Sequence, residues 1–132
     1  NEIMDLIKYG SHGSTFGGNP LATKIAPEAI NIILDENLLE NSEKQGKKFR
    51  NEIKKLNHFK IKDVRGKGLL TAFEMFDSKR LDGHKVSVEL LKKGVYAKET
   101  HKTTVRIAPA LTIDAHNIDN IAENIRDVIK LL

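Results

Sequence analysis

The segment Leu69-Leu70-Thr71-Ala72-Phe73-Glu74-Met75-Phe76 limits the fold more than any other. An extended chain sends successive side chains to opposite faces, and here both faces are largely apolar. That pattern reads as a central strand. Its surroundings supply neighbours. Phe59-Lys60-Ile61-Lys62-Asp63-Val64-Arg65 alternates at period two, which predicts a strand with one wet face, and Gly66-Lys67-Gly68 predicts a turn or bulge. Val95-Tyr96-Ala97 and Thr104-Val105-Arg106-Ile107 read as two short strands joined by a polar loop, Lys98 to Thr103, with Pro109 ending the second.

The remaining segments have helical spacing. Asn19 suits an N-cap and Pro20 the first helical position. Leu21, Ala22, Ile25, Ala26, Ala29, Ile30, Ile33 and Leu34 then form a wide apolar face. Pro27 cannot donate to the carbonyl of Thr23, so a kink or restart is expected there. A second helix is predicted from about Leu38 to Leu56. Its buried stripe is Leu39, Ser42, Gly46, Phe49, Ile53 and Leu56, and its lysines form a solvated face. Asp82 can cap a helix reaching Lys93, with Val86 and Leu90 inward and Gly94 as the stop. Asp114 can start the last helix, where Ile118, Ile121, Ala122, Ile125, Val128, Ile129 and Leu132 keep a three-four spacing. Residues 1–10 alternate loosely and predict a short strand. The sum is an α+β fold: a small sheet of three or four largely antiparallel strands with helices on one face.

Composition excludes more than it identifies. With 39% hydrophobic and 30% charged residues, the 132-residue chain reads as soluble and globular. The absence of cysteine rules out disulfides and thiolate metal sites. The net charge of +4 is spread along helices without an aromatic-basic face, which argues against nucleic acid as a partner. No apolar run reaches membrane-spanning length. The chain opens at Asn1 in an apolar-rich segment, so an interior piece of a longer protein is expected.

Two features point to anions. Gly10-Ser11-His12-Gly13-Ser14-Thr15-Phe16-Gly17-Gly18-Asn19-Pro20 can bring bare N–H groups and hydroxyls to one point before a helix, as phosphate sites do. It lacks the lysine of a Walker loop. A tight turn with a helix cap is the plain alternative. Arg106 projects from the face opposite Val105 and Ile107, near a strand end, where a fixed guanidinium can clamp a carboxylate. An ordinary salt bridge is its alternative. His12, His58, His84, His101 and His116 show no metal-ligand spacing, although His12 and His101 fall in the two loops of interest. Glu74 on an apolar strand implies an edge position or a partner across an interface.

Four motifs in order carry a resemblance over nearly the whole chain. They are His12-Gly13-Ser14-Thr15-Phe16-Gly17-Gly18-Asn19-Pro20-Leu21-Ala22, Val64-Arg65-Gly66-Lys67-Gly68-Leu69-Leu70, Ala97-Lys98-Glu99-Thr100-His101 and Val105-Arg106-Ile107-Ala108-Pro109. Together they resemble the class III pyridoxal-phosphate-dependent aminotransferases of fold type I, nearest to the branch that uses ornithine. The resemblance implies that residues 1–36 end a large cofactor-binding domain and that 37–132 form a small C-terminal domain. It implies that Ser14 and Thr15 hold the phosphate of pyridoxal 5'-phosphate in the neighbouring subunit of a homodimer, and that Arg106 binds a substrate carboxylate. The implied reaction moves the δ-amino group of ornithine to 2-oxoglutarate, giving glutamate 5-semialdehyde and glutamate. The Schiff-base lysine is expected upstream, so the chain alone is expected to be inactive. Acetylornithine or another ω-amino acid is the alternative substrate within the class, and a non-catalytic α+β interaction module is the alternative outside it. The implied compartment is cytoplasmic, with the mitochondrial matrix as the alternative. Three positions depart from the usual pattern: Ser11 where an acid is common, Pro27 within a helix, and Ala110 where a second proline is common.

Overall fold

The computed structural model describes residues 2, 4–56, 58–77 and 82–132. It divides into two compact units, Asn1–Glu36 and Asn37–Leu132.

In the first unit, the described part of residues 1–10 forms no strand. Met4–Leu6 is a single 3-10 turn, Ile7 N–H donates to the Met4 carbonyl, and the N–H and hydroxyl of Ser11 both donate to the Lys8 carbonyl. Local bonds of this kind satisfy the backbone where no partner strand is available. Helix α1 then spans Pro20–Asp35. Asn19 caps it through its side-chain oxygen, which accepts from the N–H groups of Leu21 and Ala22 at 3.0 and 3.2 Å. The helix continues through Pro27, so the expected restart does not occur. Proline removes one donor, and the good helix formers on either side carry the helix past it. None of the residues of α1 is buried.

The second unit is built on a four-stranded, wholly antiparallel sheet in the order β1-β2-β4-β3. Its strands are β1 (Ile61–Lys67), β2 (Leu70–Met75), β3 (Lys98–Thr100) and β4 (Thr104–Ile107). Three helices, α2 (Leu38–Lys55), α3 (Gly83–Lys92) and α4 (Ala115–Leu131), cover one face. The core lies between them and includes Phe49 and Ile53 of α2, Phe73 and Met75 of β2, Val86 and Leu90 of α3, Val105 and Ile107 of β4, and Ile118, Ile125 and Ile129 of α4. As expected, β2 is interior, and Asp82 and Asp114 cap α3 and α4 by accepting from Lys85 N–H and Asn117 N–H, each at 2.8 Å.

Three details differ from expectation. In α2 the buried leucine is Leu38, while Leu39 is exposed. Asn37 precedes the helix in the left-handed conformation (φ 52°), which asparagine tolerates; only the first turn departs from the predicted stripe, since Gly46, Phe49 and Ile53 are buried as expected. The third strand is Lys98–Thr100 rather than 95–97. Val95 N–H instead donates to the Leu90 carbonyl and closes the end of α3, which keeps it out of the ladder. In β1 the alternation is broken by a bulge between Ile61 and Asp63. Lys62 is the extra residue, so Lys62 and Asp63 are both exposed.

One contact locks α2 to the sheet. The turn between β1 and β2 lies against Gly46, and a Cβ built there would sit 1.8 Å from the Gly68 carbonyl oxygen. That carbonyl accepts from Arg50 Nη1 at 2.5 Å, and Leu69 N–H donates to Ser42 Oγ at 3.2 Å. Gly68 itself has φ +51°. Gly46→Ala should therefore destabilise the fold by about 3 kcal/mol, at the upper end for an added methyl because its neighbour is backbone. Urea denaturation checks this; a loss below about 1 kcal/mol would mean that the turn moves aside freely.

Candidate functional site

The sheet face without helices carries the polar residues, and cross-strand register arranges them in rows. One row runs Arg65, Ala72, Arg106 and Lys98 across β1, β2, β4 and β3. The next runs Asp63, Glu74, Thr104 and Thr100. Val105 and Ile107 point into the core, so Arg106 faces out between them, as the sequence predicts.

The β1 end of this face is neutralised. Glu74 accepts from Lys62 Nζ at 2.7 Å and from Arg65 Nη1 at 2.9 Å, and Arg65 also donates to Asp63 at 2.7 Å. Glu74 therefore lies on an interior strand and is paired within its own sheet, not at an edge or across an interface as the sequence had implied. Hydrogen bonds from Lys62 and then Arg65 hold the Glu74 carboxyl below the usual glutamate range. A hydrogen bond from Arg65 does the same for Asp63. The β4–β3 end is different. The exposed guanidinium of Arg106 has no hydrogen bond or ion pair among the described residues. Its backbone is fixed in an interior strand.

In the other unit, the loop before α1 is exposed throughout. Both features of the plain alternative are present, a left-handed glycine (Gly18, φ 74°) and the Asn19 cap. The cap uses the N–H groups of Leu21 and Ala22, so these donors of the helix end are already taken. What stays free is the loop itself. The backbone N–H groups of Gly13, Ser14, Thr15, Phe16, Gly17 and Gly18 and the hydroxyls of Ser14 and Thr15 have no acceptor among the described residues. A run of neutral donors of this kind fits a phosphate dianion.

The histidines remain apart. His58 stacks on Phe59 at 4.7 Å, His84 lies 3.5 Å from Glu99, and His116 pairs with Asn120 at 3.1 Å. His12 and His101 are exposed. Among the described residues no cluster could hold a metal ion, and no helix is long and apolar enough to cross a membrane. The sequence pattern places Lys98 in a polar loop, whereas it opens β3. Its place beside Arg106 follows from a strand that begins only where the Val95 N–H stops serving α3.

Comparison with known proteins agrees with this layout. The family model described as aminotransferase class-III matches residues 1–129. An ornithine aminotransferase of Staphylococcus epidermidis is 43% identical over 128 residues, which are 97% of this chain and 31% of that protein. The ornithine aminotransferase of Plasmodium yoelii superposes with a TM-score of 0.84 at 38% identity, over 99% of this chain and 35% of that one. An acetylornithine aminotransferase from Elizabethkingia anophelis gives 0.83 at 42% identity, over 100% and 35%. The chain thus spans about a third of the length of the curated relatives it matches.

The ion-pair network sets an acid limit. A carboxyl whose folded pKa is depressed adds stability that is complete above its unfolded pKa and is lost as pH falls through the folded value. Stability should therefore decline below the ordinary carboxylate range as Glu74 and Asp63 protonate. Glu74→Gln should flatten that decline while leaving the curve above about pH 6 parallel to the parent's. Melting temperature followed from pH 3 to 7 checks it, and an unchanged acid limb would remove Glu74 from the network.

Proposed function

The chain belongs to the class III aminotransferases, a pyridoxal-phosphate-dependent family of fold type I, and from that premise we propose that it supplies two anion contacts of an ornithine aminotransferase. The observation that carries the reading is Arg106, without a partner among the described residues, fixed on an interior strand and facing out of the sheet. A planar guanidinium in that state takes a carboxylate through two parallel hydrogen bonds. On this reading it binds the carboxylate of glutamate or 2-oxoglutarate. The net reaction transfers the δ-amino group of ornithine to 2-oxoglutarate, giving glutamate 5-semialdehyde and glutamate.

The free donors of the Gly-rich loop support the second contact. Ser14, Thr15 and the adjacent N–H groups would hold the phosphate of pyridoxal 5'-phosphate, in a homodimer whose loop serves the neighbouring subunit's site. When bound, the cofactor supplies the electron sink that lets an amino group leave one carbon skeleton and join another. The residues of this chain bind and orient. The lysine that bears the cofactor lies outside them on this reading, so the 132 residues alone are inactive. A second reading, acetylornithine as the amino donor, is favoured by the likeness to the Elizabethkingia protein. Comparing kcat/KM for ornithine and N-acetylornithine separates the two.

Two substitutions test the contacts, each in the subunit that carries these residues together with the cofactor-bearing lysine. Arg106→Ala should lower kcat/KM for 2-oxoglutarate on the order of 100-fold, because the carboxylate loses a charge-assisted partner. Kinetics unchanged for both glutamate and 2-oxoglutarate would refute the carboxylate role. Thr15→Val should raise the dissociation constant of the cofactor about tenfold. Mixing it with subunits disabled elsewhere in their own site should restore part of the activity. Cofactor retention equal to the parent's would rule out the phosphate role.

A further inference from the structure

Beyond Arg106 itself, the geometry points to Lys98 as a second cation of the same carboxylate site, a residue that sets specificity for anionic substrates. The inference rests on the carboxylate reading of Arg106 and adds a residue to it. Lys98 is the Cα partner of Arg106 in the β3–β4 ladder, so both side chains leave the sheet on the same face. Both are exposed.

Like charges directly opposite one another destabilise a sheet. Here no carboxylate among the described residues is hydrogen-bonded or ion-paired to either cation, although the Lys98 charge acts on Glu99 through space. Glu74 and Asp63 belong to Lys62 and Arg65 at the other end of the face. Glu99, next in sequence to Lys98, turns to the opposite face, where its Cβ lies against Gly83 and its carboxylate meets His84. Asp77 pairs with Lys102 at 3.0 Å. Lys98 itself has no hydrogen bond or ion pair among the described residues. On the other side of Arg106 stands Ala72, too short to reach a ligand, and beyond it Arg65 is already neutralised. Among the described residues, the cross-strand cations Arg106 and Lys98 on the open face therefore have no hydrogen-bonded or ion-paired carboxylate. A bound carboxylate is what relieves the repulsion between them. Arg106 supplies the forked hydrogen bonds, and Lys98 adds a mobile charge from β3.

The test compares Lys98→Met, Lys98→Arg and Arg106→Ala, each in the subunit that also carries the cofactor-bearing lysine, with 2-oxoglutarate as the probe. Lys98→Met should raise KM for 2-oxoglutarate about tenfold with kcat within about twofold, and Lys98→Arg should return KM to within about threefold of the parent. Without substrate, Lys98→Met should melt at the parent's temperature or above, because a like-charge contact is gone. The rise in melting temperature on saturation with 2-oxoglutarate should shrink. If Arg106→Ala raises KM but Lys98→Met does not, Lys98 is no part of the site and the proposal is overturned while the carboxylate reading stands. If neither raises KM, both are overturned. A lower substrate-free melting temperature for Lys98→Met with an unchanged ligand-induced rise would make Lys98 structural and also overturn the proposal.

Discussion

Everything on the open face of the sheet depends on a place where two backbones touch. Helix α2 meets the β1–β2 turn at Gly46, with no room for even a methyl group between that helix and the Gly68 carbonyl. Arg50 and Ser42 complete the clasp, one donating to the Gly68 carbonyl and the other accepting from Leu69 N–H. A turn clamped in this way fixes the register of β1 against β2. A slip of one residue would send every side chain of the strand to the opposite face, placing Phe73 in water and Glu74 in the core. The ladder from β2 to β4 then passes the same register to Arg106.

The open face is also divided electrically. The bulge at Lys62 puts two oppositely charged neighbours, Lys62 and Asp63, on the exposed side of one edge strand. With Arg65 and Glu74 they close a network in which every charge has a partner. Such exposed pairs add little stability individually. Their larger effect is to withdraw the carboxylates of the face from the vicinity of Arg106, so its charge is not cancelled internally. Ala72, between Arg65 and Arg106, keeps the two cationic centres from sharing an intervening side chain.

Much of this was legible in the sequence, for identifiable reasons. Period-two and three-four spacings are set by burial, and burial on one face is a local property of a strand or helix, so β2, α3, α4 and the outward direction of Arg106 could be read directly. What could not be read depends on contacts between distant segments. Gly46 looked like one small residue in a buried stripe, and its partner, Gly68, lies 22 positions on in a motif that looked like a plain turn. Glu74 looked anomalous because its partners come from β1 through a bulge that no periodicity announces. The pattern Val95-Tyr96-Ala97 reads as a strand and leaves Lys98 in the polar loop after it, although the Val95 N–H in fact closes α3. At Pro27 the restart, one of the two outcomes expected, does not occur, since one missing donor does not end a helix whose flanking turns favour it.

On the aminotransferase reading, the two anion contacts are built from different chemistry, and the difference suits what each anion has to do. The Gly-rich loop offers neutral donors, backbone N–H groups and hydroxyls, that act only at hydrogen-bonding distance and in a set direction. Such donors suit a phosphate that stays in place through many turnovers, because they fix its position without a mobile charge. Arg106 and Lys98 offer full charges on long side chains at the surface of a sheet. Their field reaches on the order of 8 Å at physiological ionic strength, far enough to draw an anion from solution before any hydrogen bond forms. A substrate carboxylate must arrive and leave in every cycle. A screened, solvent-accessible cation pair favours arrival without the deep desolvation that would hold the product.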